Sequence, residues 1–331
     1  MEEGVVYWLK AVVTPGESEL PLTQALVKLC PGALPALLSV NHAWGAWLTA
    51  DAGNPLPEGA DFPIMEQAVA TMAELQRSSA ESKELLLNVG ALDRGPRVLH
   101  NHCRQLFAYL EEAMAQQQSA NAPRLNVTRL RDMERLAEEA CLRLDDLRIP
   151  DAIVHGDMNR GNVVYDGFRC RFLDWRETYI GNPFVSLEHL LLLGSGVMSR
   201  LQTVRLKEAY VKAWRNLIPV SRIGVALKLM PAVAALSALL GRGDWLESEH
   251  RNSPARQRYA RNIARQMDRS FRSPELSGLL SSRSFTGYAA ASQGECLPLT
   301  IENLGGHQES VTASPVVGRH RDGGNRGNHG I

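Results

Sequence analysis

Residues 152–175 constrain the fold more tightly than any other stretch of this chain. A short apolar run, Ala152-Ile153-Val154, leads into the polar string His155-Gly156-Asp157-Met158-Asn159-Arg160-Gly161-Asn162. Two β-rich runs follow, 162–165 and 170–173. They flank Asp166-Gly167, a dipeptide whose glycine tolerates the positive φ of a tight hairpin turn. The pattern predicts strand, loop and hairpin, with Asp157 on the loop and Asp174 at the end of the second hairpin strand. Such a hairpin brings Asn162 and Asp174 side by side.

An isolated loop Asp or Asn is most often a turn former or a helix cap. Six specified residues (His155, Gly156, Asp157, Asn162, Asp174 and Trp175) at roughly 5% usage each recur by chance on the order of 10⁻⁸ per start position. They are therefore read as one site. Phosphoryl transfer from ATP to a hydroxyl needs an Asp that orients and deprotonates the acceptor, which is the catalytic role for Asp157. It also needs oxygen ligands for the Mg²⁺ that neutralises the phosphates, and Asn162 and Asp174 are the metal candidates.

The string HGDxxxxN followed by Phe172-Leu173-Asp174-Trp175 resembles the catalytic-loop and metal-ligand motifs of protein kinases. Gly156 stands where those have Arg, and Asp-Trp where they have Asp-Phe-Gly. In this variant form it resembles the aminoglycoside phosphotransferase family, the small-molecule branch of the kinase-like fold. The resemblance implies that His155 braces the loop and does not transfer protons. Trp175 is expected to pack. Arg160 is either an acceptor or phosphate contact or a solvated charge. A smaller departure lies at Asn159, where many relatives carry His.

The amino-terminal stretch 5–13 is dense in β-branched and aromatic residues and reads as a strand with Lys10 on one face. By the resemblance, Lys10 contacts the ATP phosphates and is held by a Glu from the next helix. Glu19 is the candidate, because Glu19-Leu20-Pro21-Leu22-Thr23 resembles the family's Glu-x-x-Leu-Thr segment, with Glu17 as competitor; Pro21 suits a first helical turn. Residues 44–51 look like the strand and hinge joining two lobes, with backbone groups of Thr49 to Asp51 on the adenine. Only nine residues precede Lys10 in the sequence, too few for the Gly-rich hairpin that covers phosphates in such sites. A truncated small lobe and weakened ATP binding are the expectation.

The resemblance covers roughly residues 5–270 and implies an α+β, protein kinase-like two-lobed fold with a small truncated β-containing N-lobe and a helix-rich C-lobe. The expected division is 1–51 for N-lobe and hinge, 52–272 for the helical C-lobe with the catalytic loop, and 273–331 for a tail. Apolar residues at three- and four-residue intervals predict helices over 62–76, 97–116 and 128–147, with Pro96 and Pro123 in the connections. Further helices are expected over 184–193, 201–217, 223–240 and 254–271. Glu188 and His189 interrupt an apolar helix near the site and read as a surface charge pair rather than an acceptor contact. From Ser273 onward Ser, Gly, Asn and His accumulate, a composition that cannot offset its ordering entropy and predicts disorder.

A chain of 331 residues suffices for a two-lobed core, and equal numbers of basic and acidic residues (36 each) offer no charge excess for nucleic acid or an anionic membrane surface. Five cysteines, scattered and without C-x-x-C spacing, fit a reduced, cytoplasmic setting. The apolar stretch 223–240 contains Lys228 and Pro231 and reads as a buried helix rather than a membrane span. The expected activity is ATP- and Mg²⁺-dependent transfer of the γ-phosphoryl group to a hydroxyl of a small-molecule acceptor. The rival is a non-catalytic nucleotide-binding pseudokinase or a non-functional fragment.

Overall fold

The computed structural model describes residues 6–12 and 18–281. The N-terminal lobe consists of β1 (Tyr7–Ala11), α1 (Glu19–Leu29), β2 (Leu37–Asn41) and β3 (Ala46–Ala50). The three strands form an antiparallel sheet in the order β1-β3-β2, with Lys10 opposite Trp47 and Trp8 opposite Thr49. Trp44, expected on the strand, lies instead in a 3-10 turn, His42–Trp44. The Asn41 side chain accepts from its backbone N–H at 3.1 Å, and Gly45 then reverses the chain at φ 55°. A short helical turn and a left-handed glycine thus take the place of two strand residues.

The second lobe begins with β4 (Asn54–Pro55), α2 (Phe62–Ala80), α3 (Lys83–Asn88), β5 (Leu92–Asp93), α4 (Pro96–Ala115) and α5 (Val127–Asp146). The segment after α5 supplies β6 (Ala152–Val154), β7 (Val163–Tyr165), β8 (Cys170–Phe172) and β9 (Tyr179–Gly181). Helices α6 (Phe184–Leu193), α7 (Arg200–Trp214), α8 (Val220–Leu240), α9 (Pro254–Phe271) and α10 (Pro274–Ser281) complete it. Pro96 is the first residue of α4, where its missing N–H would have had no helical partner anyway, and not part of the connection. Side-chain caps from Asn126, Ser199 and Ser253 open α5, α7 and α9. Residues 274–281, expected in the tail, instead form α10, in which Leu276 is buried and which packs on α5, α8 and α9. The remainder of that tail lies outside the described residues.

Helix α8 is the one helix among the described residues long and apolar enough to cross a membrane. It runs through the core against α5, α6 and α9, with Leu229, Leu236 and Leu239 buried, which accounts for its composition. Two small sheets carry the site, in the orders β4-β7-β8 and β5-β9-β6. Buried polar groups of α2 fasten β6: Gln76 Nε2 donates to the Ile153 carbonyl and Ser79 Oγ accepts from Ile153 N–H, both at 2.9 Å. Tyr210 in turn donates to Gln76 Oε1, so the network is satisfied and rigid. It fixes the strand from which the loop 155–162 departs.

Candidate active site

Gly156 opens the loop at φ 79°, a left-handed conformation that L side chains rarely adopt. A Cβ there would stand 2.0 Å from the Glu177 carbonyl oxygen, so the loop is pressed against the 3-10 turn Trp175–Glu177. His155, just before it, is buried, and its ring donates through Nε2 to the Leu173 carbonyl at 2.7 Å. Burial lowers its pKa, against the opposing effect of that hydrogen bond. Its backbone is held by the buried Ser186 hydroxyl, 3.5 Å from its N–H, and by Thr178, which donates to its carbonyl at 3.4 Å. His155 is a brace, as its place in the motif implied.

Asp157 is exposed, and its Oδ2 accepts from the side-chain amides of Asn159 at 3.1 Å and Asn162 at 3.2 Å. Asn162 Nδ2 also donates to the Asp157 carbonyl at 2.8 Å. With its nitrogen committed to Asp157, Asn162 has Oδ1 as the atom that could meet a metal. Asn159 shapes the turn as well, its Oδ1 accepting from Gly161 and Asn162 N–H. Arg160 turns away: it pairs with Glu58 at 3.4 Å and reaches the Leu193 carbonyl.

The hairpin behaves as its turn residues predict. Asp166 Oδ1 accepts from Phe168 and Arg169 N–H, and Gly167 has φ 94°. What burial Asp166 has would raise its pKa, but the bond from Arg171 and those two N–H groups bring it down to about 2. Leu173 N–H donates to the Asn162 carbonyl at 2.9 Å, which sets Asn162 beside Asp174. Asp174 itself is left-handed, at φ 61° and ψ 74°. A non-glycine residue there stores strain of about 1–3 kcal/mol, released unless neighbouring bonds hold it.

Lys10 closes the site from the other lobe. Its Nζ lies 2.5 Å from Glu19 Oε1 and 2.8 Å from Asp174 Oδ1. Glu19 is buried, and its Oε1 also accepts from the Trp175 backbone N–H at 3.1 Å. Glu17, the competing carboxylate, lies outside the described residues. Burial pulls the Lys10 pKa down, but its bonds to Asp174 and Glu19 outweigh that and leave it raised. Asp174 is lowered: burial would raise it, and the Lys10 bond prevails. Glu19 is raised by burial, which the Lys10 bond only partly offsets.

Lys10, Glu19, Thr49, Asp51, Asn162 and Asp174 line one cavity of about 440 Å³, with Asp157 joined to it through Asn162. At the hinge end the side chains and not only the backbone matter. The Asp51 carboxylate accepts from Trp8 Nε1 at 2.7 Å. The Thr49 backbone is committed to the sheet between Trp8 and Leu37, and Ala50 N–H donates to the Ala36 carbonyl. Thr49 and Ala50 still line the cavity, and the first positions beyond the sheet are Asp51 and Ala52. Among the described residues no group of three His, Cys, Asp or Glu could hold a metal. One carboxylate and one amide oxygen suit Mg²⁺, which takes one or two protein ligands and completes its shell with phosphate and water.

Glu188 and His189 are partly buried and do not form an exposed pair. Burial, opposed by a hydrogen bond to the Ala234 carbonyl of α8, lowers His189 to about 4, and the countercharge near Glu188 is Lys207.

Against this geometry, residues 43–223 match the family model described as APH, phosphotransferase enzyme family, more than half of the chain. The chain belongs to that family. The matched span contains the catalytic loop and Asp174 but neither Lys10 nor Glu19, which the fold itself brings to the site. No curated protein sequence matches significantly. Among solved structures, a choline/ethanolamine kinase family protein from Mesorhizobium loti is 17% identical, with a TM-score of 0.55 over 84% of this chain and 86% of that one. Macrolide 2′-phosphotransferase MphH from Brachybacterium faecium is 16% identical, TM-score 0.53, covering 79% and 84%. Ethanolamine kinase from Plasmodium vivax is 12% identical, TM-score 0.53, covering 82% and 76%. At these identities the likeness is one of fold: this APH phosphotransferase has the two-lobed, kinase-like α+β architecture, with a small β-containing lobe and a helix-rich one.

Proposed function

We propose that the protein transfers the γ-phosphoryl group of ATP to a hydroxyl of a small molecule, with Mg²⁺ as the metal. The observation that carries this reading is the convergence of Lys10, Glu19 and Asp174 on one ion-paired centre, with Asp157 and Asn162 hydrogen-bonded beside it. Family membership supports the reaction type, and the cavity beneath Lys10 offers room for a nucleotide.

In this reading Lys10 meets the α- and β-phosphates, and Asn162 Oδ1 and Asp174 hold Mg²⁺. The metal supplies positive charge against the phosphate oxygens. Asp157 accepts the acceptor's hydroxyl proton as that oxygen bonds to the γ-phosphorus and the bond from phosphorus to the β–γ bridging oxygen breaks, releasing ADP. The amides of Asn159 and Asn162 keep Oδ2 of Asp157 aimed during that exchange. We place the lobe boundary at Asp51/Ala52 and the acceptor among hydroxyl-bearing small molecules such as amino alcohols, sugars, aminoglycosides and macrolides. No nucleic-acid or membrane partner enters the scheme.

Titration calorimetry with ATP and with GTP, with and without Mg²⁺, tests the nucleotide half on the wild type and Asp174→Ala. Mg²⁺-dependent affinity lost in the variant is expected. Affinity that is the same with and without metal, or the same in both proteins, would remove Asp174 from the proposed role. A non-catalytic nucleotide-binding protein would bind equally well but would show no ADP release dependent on Asp157.

A further inference from the structure

We propose that Glu19 positions the metal ligand Asp174 directly, in addition to holding Lys10; this deepens the phosphotransferase reading and rests on it. Glu19 is 3% exposed, and one oxygen of its carboxylate serves two donors, Lys10 and Trp175, that lie far apart in the sequence. Lys10 Nζ is 2.5 Å from Oε1, and the backbone N–H of Trp175 is 3.1 Å from the same atom. The second bond spans the two lobes, from α1 to the residue after Asp174.

Asp174 sits between two fixed neighbours. On one side Leu173 N–H is bound to the Asn162 carbonyl at 2.9 Å. On the other the Trp175 ring is buried and its Nε1 donates to the Phe172 carbonyl at 3.2 Å. The peptide joining 174 to 175 is the remaining freedom, and its direction is set by Asp174's ψ of 74° at a φ of 61°. That conformation is disfavoured for a residue with a Cβ. Turning the peptide to a common conformation would withdraw the Trp175 N–H from Glu19 and rotate the Asp174 carboxylate. A buried N–H without an acceptor is costly, so the Glu19 oxygen makes the strained conformer the stable one. Holding Lys10 requires a negative charge on Glu19. Holding the 174–175 peptide requires only an acceptor oxygen.

That difference separates the two roles. In a Lys10→Met background, which removes the ion pair, Glu19→Gln keeps an uncharged acceptor oxygen and Glu19→Leu removes it at equal charge and similar size. Mn²⁺ affinity in the presence of ADP, read by electron paramagnetic resonance, reports the Asp174 geometry; thermal melting checks that both variants fold. If Glu19→Leu does not fold, Glu19→Ala in the same background takes its place. The Gln variant is expected to match Lys10→Met alone within about twofold, and the Leu or Ala variant to bind Mn²⁺ roughly tenfold more weakly, the range of one lost buried hydrogen bond. Equal Mn²⁺ affinity in the Gln and Leu variants overturns the proposal while leaving the phosphotransferase reading in place. Absence of ADP binding to the wild type by calorimetry overturns that reading, and the proposal with it.

Discussion

Replacing Gly156 by alanine should damage both stability and catalysis, and the geometry sets the size of the effect. Alanine at φ 79° costs about 1–2 kcal/mol for the left-handed backbone alone. Its Cβ would lie 2.0 Å from the Glu177 carbonyl oxygen and 2.7 Å from the carbonyl carbon, where ordinary contact begins at 3.4 Å. The catalytic loop and the Trp175–Glu177 turn must therefore separate by more than 1 Å, and both are backbone. Overpacking of this kind costs about 1–3 kcal/mol, for a total of about 2–5 kcal/mol. At roughly 2–4 °C per kcal/mol for a chain of this size, the melting temperature falls by roughly 4–20 °C. Gly167→Ala is the control, because its φ is 94° but a Cβ there meets nothing within 4 Å. It should show only the backbone cost. The displacement in Gly156→Ala also moves Asp157 relative to Asp174, and misplacement on the order of 1 Å lowers turnover by about 10²-fold. Thermal melts and ADP release measure the two effects. Melting of Gly156→Ala within about 2 °C of Gly167→Ala, with turnover intact, would refute the steric reasoning.

Asp157→Ala should lower phosphoryl transfer by about 10²–10⁴-fold while leaving ATP affinity nearly unchanged by calorimetry, because the carboxylate acts on the acceptor; parallel losses would count against that. Lys10→Met frees Asp174 from an ion pair at 2.8 Å, so Mn²⁺ without nucleotide should bind more tightly to the variant by paramagnetic resonance, and ATP more weakly by calorimetry. Unchanged Mn²⁺ binding would mean that Lys10 and the metal do not compete for that carboxylate. His189 is lowered from 6.5 to about 4, so between those values the unfolded chain binds the extra proton and the folded protein loses stability as pH falls. The full loss is about 3 kcal/mol, and urea unfolding from pH 7 down to 4 should show a shallower decline in His189→Gln than in the wild type.

The parts of the site legible in the sequence were those whose chemistry lies in side chains at short spacing. Asp157, Asn162 and Asp174 are brought together by a hairpin whose turn residues announce themselves, and the amphipathic helices follow from their period. The Lys10–Glu19 pair was accessible only through resemblance, since nothing local says which carboxylate a strand Lys will meet. The missed features depend on long-range backbone groups. Trp175 N–H reaching Glu19, and Ser186 holding His155 N–H, join segments with no sequence pattern in common. The 3-10 turn at Trp44 was hidden because a Trp-rich run has high β propensity, and one Asn cap with a left-handed glycine overrides it. Helix α10 was hidden by the polar composition around it, against which a single buried Leu276 gives little signal.

The most direct test of the account is Mg²⁺-dependent ADP release from ATP across a panel of hydroxyl-bearing acceptors, run side by side on the wild type and Asp157→Asn. The account predicts acceptor-stimulated ADP release by the wild type that the amide variant lacks, with nucleotide binding preserved in both. ADP release that is the same in the two proteins would contradict it.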